Sequence, residues 1–294
     1  MIDELCRLVE QLEEDRVLCE PDQLRRRLDA LDLLDACFPD CLAGGPGAHD
    51  ASDSAKLCRR VNLLRAQMEA ANEGVYEGIR AEILRGGRSE SLWQWARLAA
   101  QDAERGPAGG LGYGFLDELV SGVFRLAEPV GEPIPSGPEM VAYQPTPARH
   151  IFELIHQAGL TANDVLVDLG SGLGHVPLLA SVCTGARSIG IELDASYVER
   201  ATQCALALNL ARVSFRNEDA RRADLSAGTV YYLYTPFTGS ILRSVIDRLR
   251  REALGRPIRI CTYGPVTPRI AQERWLEAMS TPDTHRVTQF RSRS

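Results

Sequence analysis

From Ile2 to about Leu126 the apolar residues recur at intervals of three and four: Leu5, Leu8, Val9 and Leu12, then Leu24, Leu28, Leu31 and Leu34, then Val61, Leu64 and Met68. That spacing lines one face of a helix and predicts four or five helices, the last over Phe115 to Leu126, with no convincing strand. Breaks fall at Gly44-Gly45-Pro46-Gly47, at Gly86-Gly87 and at Gly106-Pro107-Ala108-Gly109-Gly110. Beyond Pro147 the pattern changes. Short β-branched runs at Val165 to Leu169, Ser188 to Glu192, Val213 to Arg216, Thr229 to Tyr234 and Ile258 to Tyr263 alternate with helix-like stretches at about 175 to 184, 195 to 209 and 238 to 254. Strands alternating with helices of that length predict a parallel sheet covered on both faces. His285 to Phe290 reads as an antiparallel edge strand and brings the expected strands to six, with no clear seventh between Tyr263 and His285.

Six of the sixteen prolines lie between Pro129 and Pro147, a density that rules out regular structure. The expected organisation is a helical N-terminal domain over 1–128, a Pro-rich linker over 129–147 and an α/β domain over 148–294. At 294 residues, 45% hydrophobic and 25% charged, the chain has the composition of a globular protein. Its net charge of -7 counts against a nucleic-acid partner, whose phosphates call for a basic excess. The deficit is local: residues 1–138 hold 15 Lys and Arg against 25 Asp and Glu, and the remainder 18 against 15. An acidic helical half favours a basic or cationic partner. Only Lys56 is lysine among 33 basic residues, which reads as codon composition, not as function.

Eight cysteines are scattered without any C-x-x-C pair, so zinc and redox readings are weak and no metal site is expected. The start, Met-Ile-Asp-Glu-Leu, lacks the basic region and apolar core of a secretory signal, and no apolar run approaches the roughly 20 residues of a membrane span. These features predict a reduced, cytoplasmic protein with no membrane partner.

The candidate chemistry lies at Val165-Leu166-Val167-Asp168-Leu169-Gly170-Ser171-Gly172-Leu173-Gly174-His175. A buried strand runs into three glycines and then a helix, at the sheet edge where open α/β folds bind ligands. A dinucleotide fingerprint needs glycine at 175, and His175 stands there. The acidic Asp168 ahead of the glycines suits a cationic sulfonium better than a pyrophosphate, which is held by a helix N-terminus. Glu192, closing the second strand, is placed to accept the hydroxyls of a ribose. Asp194 reads as the cap of the following helix. Asp219, after the third strand in Asn217-Glu218-Asp219-Ala220, can accept an adenine amine; the alternative is a solvated loop carboxylate.

These residues resemble the class I S-adenosylmethionine-dependent methyltransferases over roughly Met140 to Arg291. Within them the core is most similar to the non-SET, disruptor-of-silencing type histone lysine methyltransferases, in Tyr143-Gln144-Pro145-Thr146 and in Asp168 to Gly174. The resemblance implies a Rossmann-like α/β sheet with helices on both faces, preceded here by an all-α domain, and S-adenosylmethionine as cofactor. It implies that Tyr143 and Thr146 line the methionine end, that Asp168, Gly170, Ser171, Gly172 and Gly174 form the loop, and that Glu192, Asp219 and Ala220 hold ribose and adenine.

In that fold the fourth strand borders the transferred methyl, which makes Tyr234, Thr235, Pro236 and Phe237 the acceptor-site candidates. Amino-methylating relatives place an amide or carboxylate before the prolines, and this chain has none there. The expected acceptor is a nitrogen on a protein or peptide side chain held between the helical and catalytic domains. The alternatives are a small metabolite methylated on N or O, and a silent scaffold that keeps the fold. His150, His156 and His175 are the bases within sequence reach, each with a packing role as its alternative. Tyr231 and Tyr232 read as ordinary strand residues on opposite faces. Trp93 and Trp95 lie two apart and cannot share one helix face, leaving one for an interface or for substrate.

Overall fold

The computed structural model describes residues 2–42, 53–103, 113–127 and 137–293. The Gly44 to Gly47 loop, the Gly106 to Gly110 stretch and linker residues 129–136 lie outside the described residues. The chain forms two compact units, Met1–Ile79 and Arg80–Ser294.

The first unit holds helices α1 (Ile2–Glu14), α2 (Leu24–Cys37), α3 (Pro39–Leu42) and most of α4 (Asp53–Gly86), with two short 3-10 turns after α1. Val9, Leu34, Val61, Leu64 and Met68 bury together with Leu18 and Phe38, and Leu5, Leu8, Leu12 and Leu31 pack against them. The helical stripes therefore close on one core. Arg27 occupies a buried position in it: Nε donates to Asn72 Oδ1 (2.6 Å) and Nη1 to the carbonyls of Leu18 (2.8 Å) and Glu20 (2.5 Å). Bonds of this kind offset the cost of removing a guanidinium from water. The expectation of fully reduced thiols is corrected at one pair, because Cys41 and Cys58 form a disulfide. Their Cα atoms lie 5.3 Å apart, within bridging distance although seventeen positions separate them in sequence.

The second unit begins inside α4. It includes α5 (Glu90–Ala103) and α6 (Phe115–Phe124), which the sequence reading placed with the N-terminal helices. α6 stops two residues short of the expected Leu126, where Arg125 turns left-handed (φ 52°). Both tryptophans are consumed inside this unit. Trp93 stacks edge-on against Phe152 (5.3 Å) and donates to the Cys183 carbonyl (3.3 Å), and Trp95 meets Phe115 (6.0 Å). Trp93 thereby takes the interface role expected of one of the pair, joining α5 to α7 and α8.

Next come α7 (Ala148–Ala158), β1 (Val165–Leu169), α8 (His175–Thr184), β2 (Arg187–Glu192), α9 (Ala195–Ala207), β3 (Val213–Asn217), β4 (Val230–Leu233), α10 (Gly239–Gly255), β5 (Arg259–Thr262), the single-turn α11 (Thr267–Ile270), β6 (Leu276–Ala278) and β7 (Thr288–Ser292). The seven strands order as β3-β2-β1-β4-β5-β7-β6. β1 to β5 are parallel; β7 runs antiparallel between β5 and β6. Two expectations change here. The C-terminal strand is antiparallel as expected, but it is not the edge, because the seventh strand, β6, covers it. β6 spans three residues and only Leu276 is buried, too short a stretch for a period of two to register in sequence.

On one face of the sheet Tyr231, Leu233 and Ile260 bury against Val245, Ile246 and Leu249 of α10. On the other, Tyr232 is buried and its hydroxyl meets Thr146 Oγ1 at 3.1 Å. The two tyrosines do lie on opposite faces. Strand alternation thus places Tyr231 among packing residues and directs Tyr232 toward the Tyr143 to Thr146 segment. Among the described residues no helix is long and apolar enough to cross a membrane.

Candidate active site

Past Leu169 the chain reverses through Gly170, Gly172 and Gly174, all left-handed at φ 83°, 50° and 84°. Each glycine also answers a close approach. A Cβ at 170 would lie 2.3 Å from Pro236 Cβ, at 172 2.0 Å from the Tyr143 ring, and at 174 2.5 Å from the Phe215 ring. No other residue type supplies both the dihedral and the space. The amides of Gly170 and Ser171 donate to the Ile191 carbonyl (2.8 and 3.1 Å), tying the loop to the end of β2.

Glu192 completes that tie. Its Oε2 accepts from the Gly172 N–H (2.8 Å) and its Oε1 from the Leu193 and Asp194 N–H groups (2.7 and 3.0 Å). A carboxylate has about four acceptor positions, so the loop amides take most of them and leave capacity for a ligand hydroxyl. Asp194 caps α9 through the Ser196 N–H at 2.8 Å. Asp168 is buried on β1, in register with Gly190 and Tyr232. Burial, reinforced by the Glu192 charge, pushes its carboxyl well above the usual range. Ser171 Oγ is buried with no hydrogen-bond partner.

Tyr143 lies on Gly172, packs on the Tyr197 ring (4.8 Å) and reaches His175 Nδ1 with its hydroxyl (3.5 Å). Burial depresses the His175 pKa to about 4, so the ring is neutral near pH 7. Asp219 turns onto Arg221, which donates to it from Nε (3.0 Å to each oxygen), Nη2 (2.6 Å) and the backbone (2.8 Å). That pairing holds its carboxyl below the usual range. Ala220 packs in the sheet core. Thus Tyr143, Asp168, the glycines and Glu192 converge on one loop, while Asp219 is engaged by Arg221.

The β4 loop meets this loop through Pro236. Thr235 is left-handed at φ 41°, a strained conformation for a β-branched residue. Its Oγ1 accepts from the Val266 N–H (3.1 Å) and donates to the Tyr263 carbonyl (3.4 Å), which hold the turn. Met140 pairs antiparallel with Phe237, and the Val141 N–H donates to the Pro236 carbonyl (3.2 Å). The described end of the Pro-rich segment is therefore part of the site.

Tyr234 stacks on Tyr263 (4.8 Å), which stacks on His150 (4.3 Å); His150 Nδ1 in turn meets Glu153 (2.9 Å). Burial, with Tyr113 and Tyr263 nearby, pushes the Tyr234 phenol up to about 12. Tyr113 donates to the Pro145 carbonyl (2.6 Å), and Asp117 accepts from both Gly114 (2.7 Å) and Ala148 (2.8 Å), fastening the start of α6 beside the site. Tyr113, Asp117, Tyr197 and Tyr263 were missed by sequence reasoning, since lone tyrosines and a lone aspartate carry no periodic signal. His156 is exposed on α7 and meets no site residue.

Residues 140–225, which include every residue named for cofactor binding, match the family model described as DOT1, histone methylation protein. An RNA methyltransferase from Salinibacter ruber in complex with S-adenosyl-L-homocysteine is 31% identical, over 51% of this chain and 92% of that one, at a TM-score of 0.39. This chain belongs to the class I S-adenosylmethionine-dependent methyltransferases. Other similar structures are a putative methyltransferase, yhhF, from Escherichia coli (17% identity, 53% and 91% covered, TM-score 0.41) and the Pyrococcus abyssi tRNA (uracil-54, C5)-methyltransferase in complex with S-adenosyl-L-homocysteine (18%, 51% and 39%, 0.39). No curated protein matches the chain. S-adenosylmethionine is the cofactor of this methyltransferase class. The residues present fit it. Among the described residues no cation pairs with the buried Asp168 carboxyl and no group bonds the Ser171 hydroxyl, and the Glu192 carboxylate stands at the Gly172 amide.

Proposed function

We propose that the chain transfers a methyl group from S-adenosylmethionine to a nitrogen held at the β4 loop. The observation that carries this reading is the meeting of two loops, with Gly172 on Glu192 and under Tyr143 while Pro236 abuts Gly170. S-adenosylmethionine, when bound, supplies an electrophilic methyl on a cationic sulfur. Glu192 takes a ribose hydroxyl and Asp168 becomes charged beside the cationic end of the ligand. Tyr143 and Thr146 border the methionine end, with Asp219 and Ala220 toward adenine. The loops align nucleophile, methyl and sulfur, an orientation worth on the order of 7 to 11 kcal/mol.

Nitrogen is favoured over oxygen by the protonation states. Tyr234 at about 12 is no base near pH 7, and Thr235, Pro236 and Phe237 supply none. An amine reaches its nucleophilic form by losing a proton to water, whereas a hydroxyl needs a base at the reacting atom. Tyr234 Oη and the loop carbonyls then serve as acceptors that orient the lone pair. Of the two acceptor classes raised by the sequence, a protein side chain and a small metabolite, a cavity of about 550 Å³ beside Thr235 and Phe237 favours the metabolite.

The test is transfer of label from methyl-tritiated S-adenosylmethionine to a panel of small primary and secondary amines, basic peptides and hydroxyl compounds. The expected result is base-stable label on a small amine. Label confined to hydroxyl compounds contradicts the nitrogen reading, and bound cofactor with no transfer to any class supports the silent scaffold.

A further inference from the structure

The cavity beside the acceptor loop opens between the start of α10 and the turn after β5, with Thr235, Phe237 and Pro265 on its wall. Two arginines, Arg243 on the second turn of α10 and Arg269 on α11, also line it. Neither is paired with a carboxylate among the described residues; Arg269 Nη1 donates only to Gln272 Oε1, at 2.6 Å. Arginines nearby are otherwise engaged. Arg221 binds Asp219, Arg256 binds Glu252, Arg259 binds Asp164, and Arg248 donates to the carbonyls of Arg221 and Ala223.

The carboxylate that meets the start of α10 among the described residues is already used. Glu139 accepts from the Ser240 N–H (2.8 Å), the Ser240 hydroxyl (2.7 Å) and the Ile241 N–H (3.2 Å), so the helix amides are satisfied and the two guanidiniums remain. A guanidinium offers a planar fork that matches a carboxylate or phosphate in two parallel bonds. Two such forks on one apolar-walled cavity concentrate positive potential where a small anion fits. Solitary surface arginines are common in so arginine-rich a chain, but these two share a cavity with the loop that would hold the acceptor.

We propose that this cavity is the anion pocket of the methyl acceptor: the acceptor is a small molecule bearing a carboxylate or phosphate, which Arg243 and Arg269 grip while its nitrogen lies at Thr235 to Phe237. This rests on the methyltransferase reading above.

The experiment follows the arginine side-chain N–H resonances of the S-adenosylhomocysteine-loaded protein during titration with inorganic phosphate, acetate, chloride at matched ionic strength, and a twelve-residue oligouridylate. Saturable binding of phosphate or acetate, weakened at least tenfold in Arg243→Gln and in Arg269→Gln with cofactor-product affinity unchanged, supports the pocket, and the stronger of the two anions names the group. Shifts no greater than those with chloride, or binding retained in the double variant, overturn it. Oligouridylate binding a hundredfold tighter than phosphate and dependent on both arginines assigns the pair to a nucleic-acid backbone and overturns the small-molecule reading. Failure of the wild-type protein to bind S-adenosylhomocysteine at all strikes the methyltransferase reading instead, and is read separately from the anion titrations.

Discussion

The β1 and β4 loops abut at Gly170 and Pro236, yet they reach their shapes by opposite means. The β1 loop puts glycine at each left-handed position, so its turn costs no strain and leaves room for Pro236, Tyr143 and Phe215 to approach the backbone. The β4 loop puts a β-branched threonine at φ 41° and holds it by bonds to Val266 and Tyr263. The first shape is written into residue types and the second is imposed by tertiary contacts. A cofactor common to a whole fold can be met by a local motif, whereas the proposed acceptor site is a loop whose shape depends on its surroundings.

The largest effect should come from filling the first loop. Gly172→Ala adds a Cβ 2.0 Å from the Tyr143 ring at a left-handed position, and S-adenosylhomocysteine affinity should fall at least a hundredfold, about 2.7 kcal/mol, by calorimetry. An affinity within threefold of wild type would mean that the loop does not set the pocket.

A second effect, in stability, comes from His175. Its pKa of about 4 in the fold against 6.5 free means that folding favours the neutral ring. The contribution is present above pH 6.5 and is lost as pH falls from 6.5 toward 4, at most about 3 kcal/mol. Chemical denaturation of wild type and His175→Gln across that range checks it: the difference between the two proteins should shrink with acidification. Glu192→Gln comes next, with cofactor affinity down by about 1 to 3 kcal/mol from loss of a charged acceptor. Its unfolding midpoint should also drop, because three loop amides lean on that carboxylate.

The smallest predicted effect distinguishes the loops most finely. Thr235→Val keeps the strain and leaves the buried Val266 N–H without an acceptor, a loss of about 1 to 3 kcal/mol. Thr235→Gly loses the same bond but relieves the dihedral, worth on the order of 1 kcal/mol. Urea denaturation should therefore rank glycine above valine. The reverse order would show that the backbone strain is immaterial.

The parallel strands were legible within a residue or two, because runs such as Val165 to Leu169 are buried on both faces and bounded by turn residues. The glycine loop was legible for the same reason that it works: each glycine marks a dihedral. Other features left no such trace. A helical period shows that α5 and α6 bury a face, but not that Trp93 meets Phe152 of α7 instead of the N-terminal core. Arg243 and Arg269 come together from separate elements in a chain with 32 arginines, where neither stands out. The charge asymmetry pointed to a cationic partner for the helical half, whereas the cavity beside the β4 loop is lined by two cations, a charge suited to the proposed anion.

Calorimetric titration of the wild-type protein with S-adenosylhomocysteine and, separately, with NAD tests whether the Gly170 to Gly174 loop with Asp168 and Glu192 is an S-adenosylmethionine site. Saturable one-to-one binding of the first and none of the second is expected. Binding of NAD, or of neither ligand, would contradict that assignment.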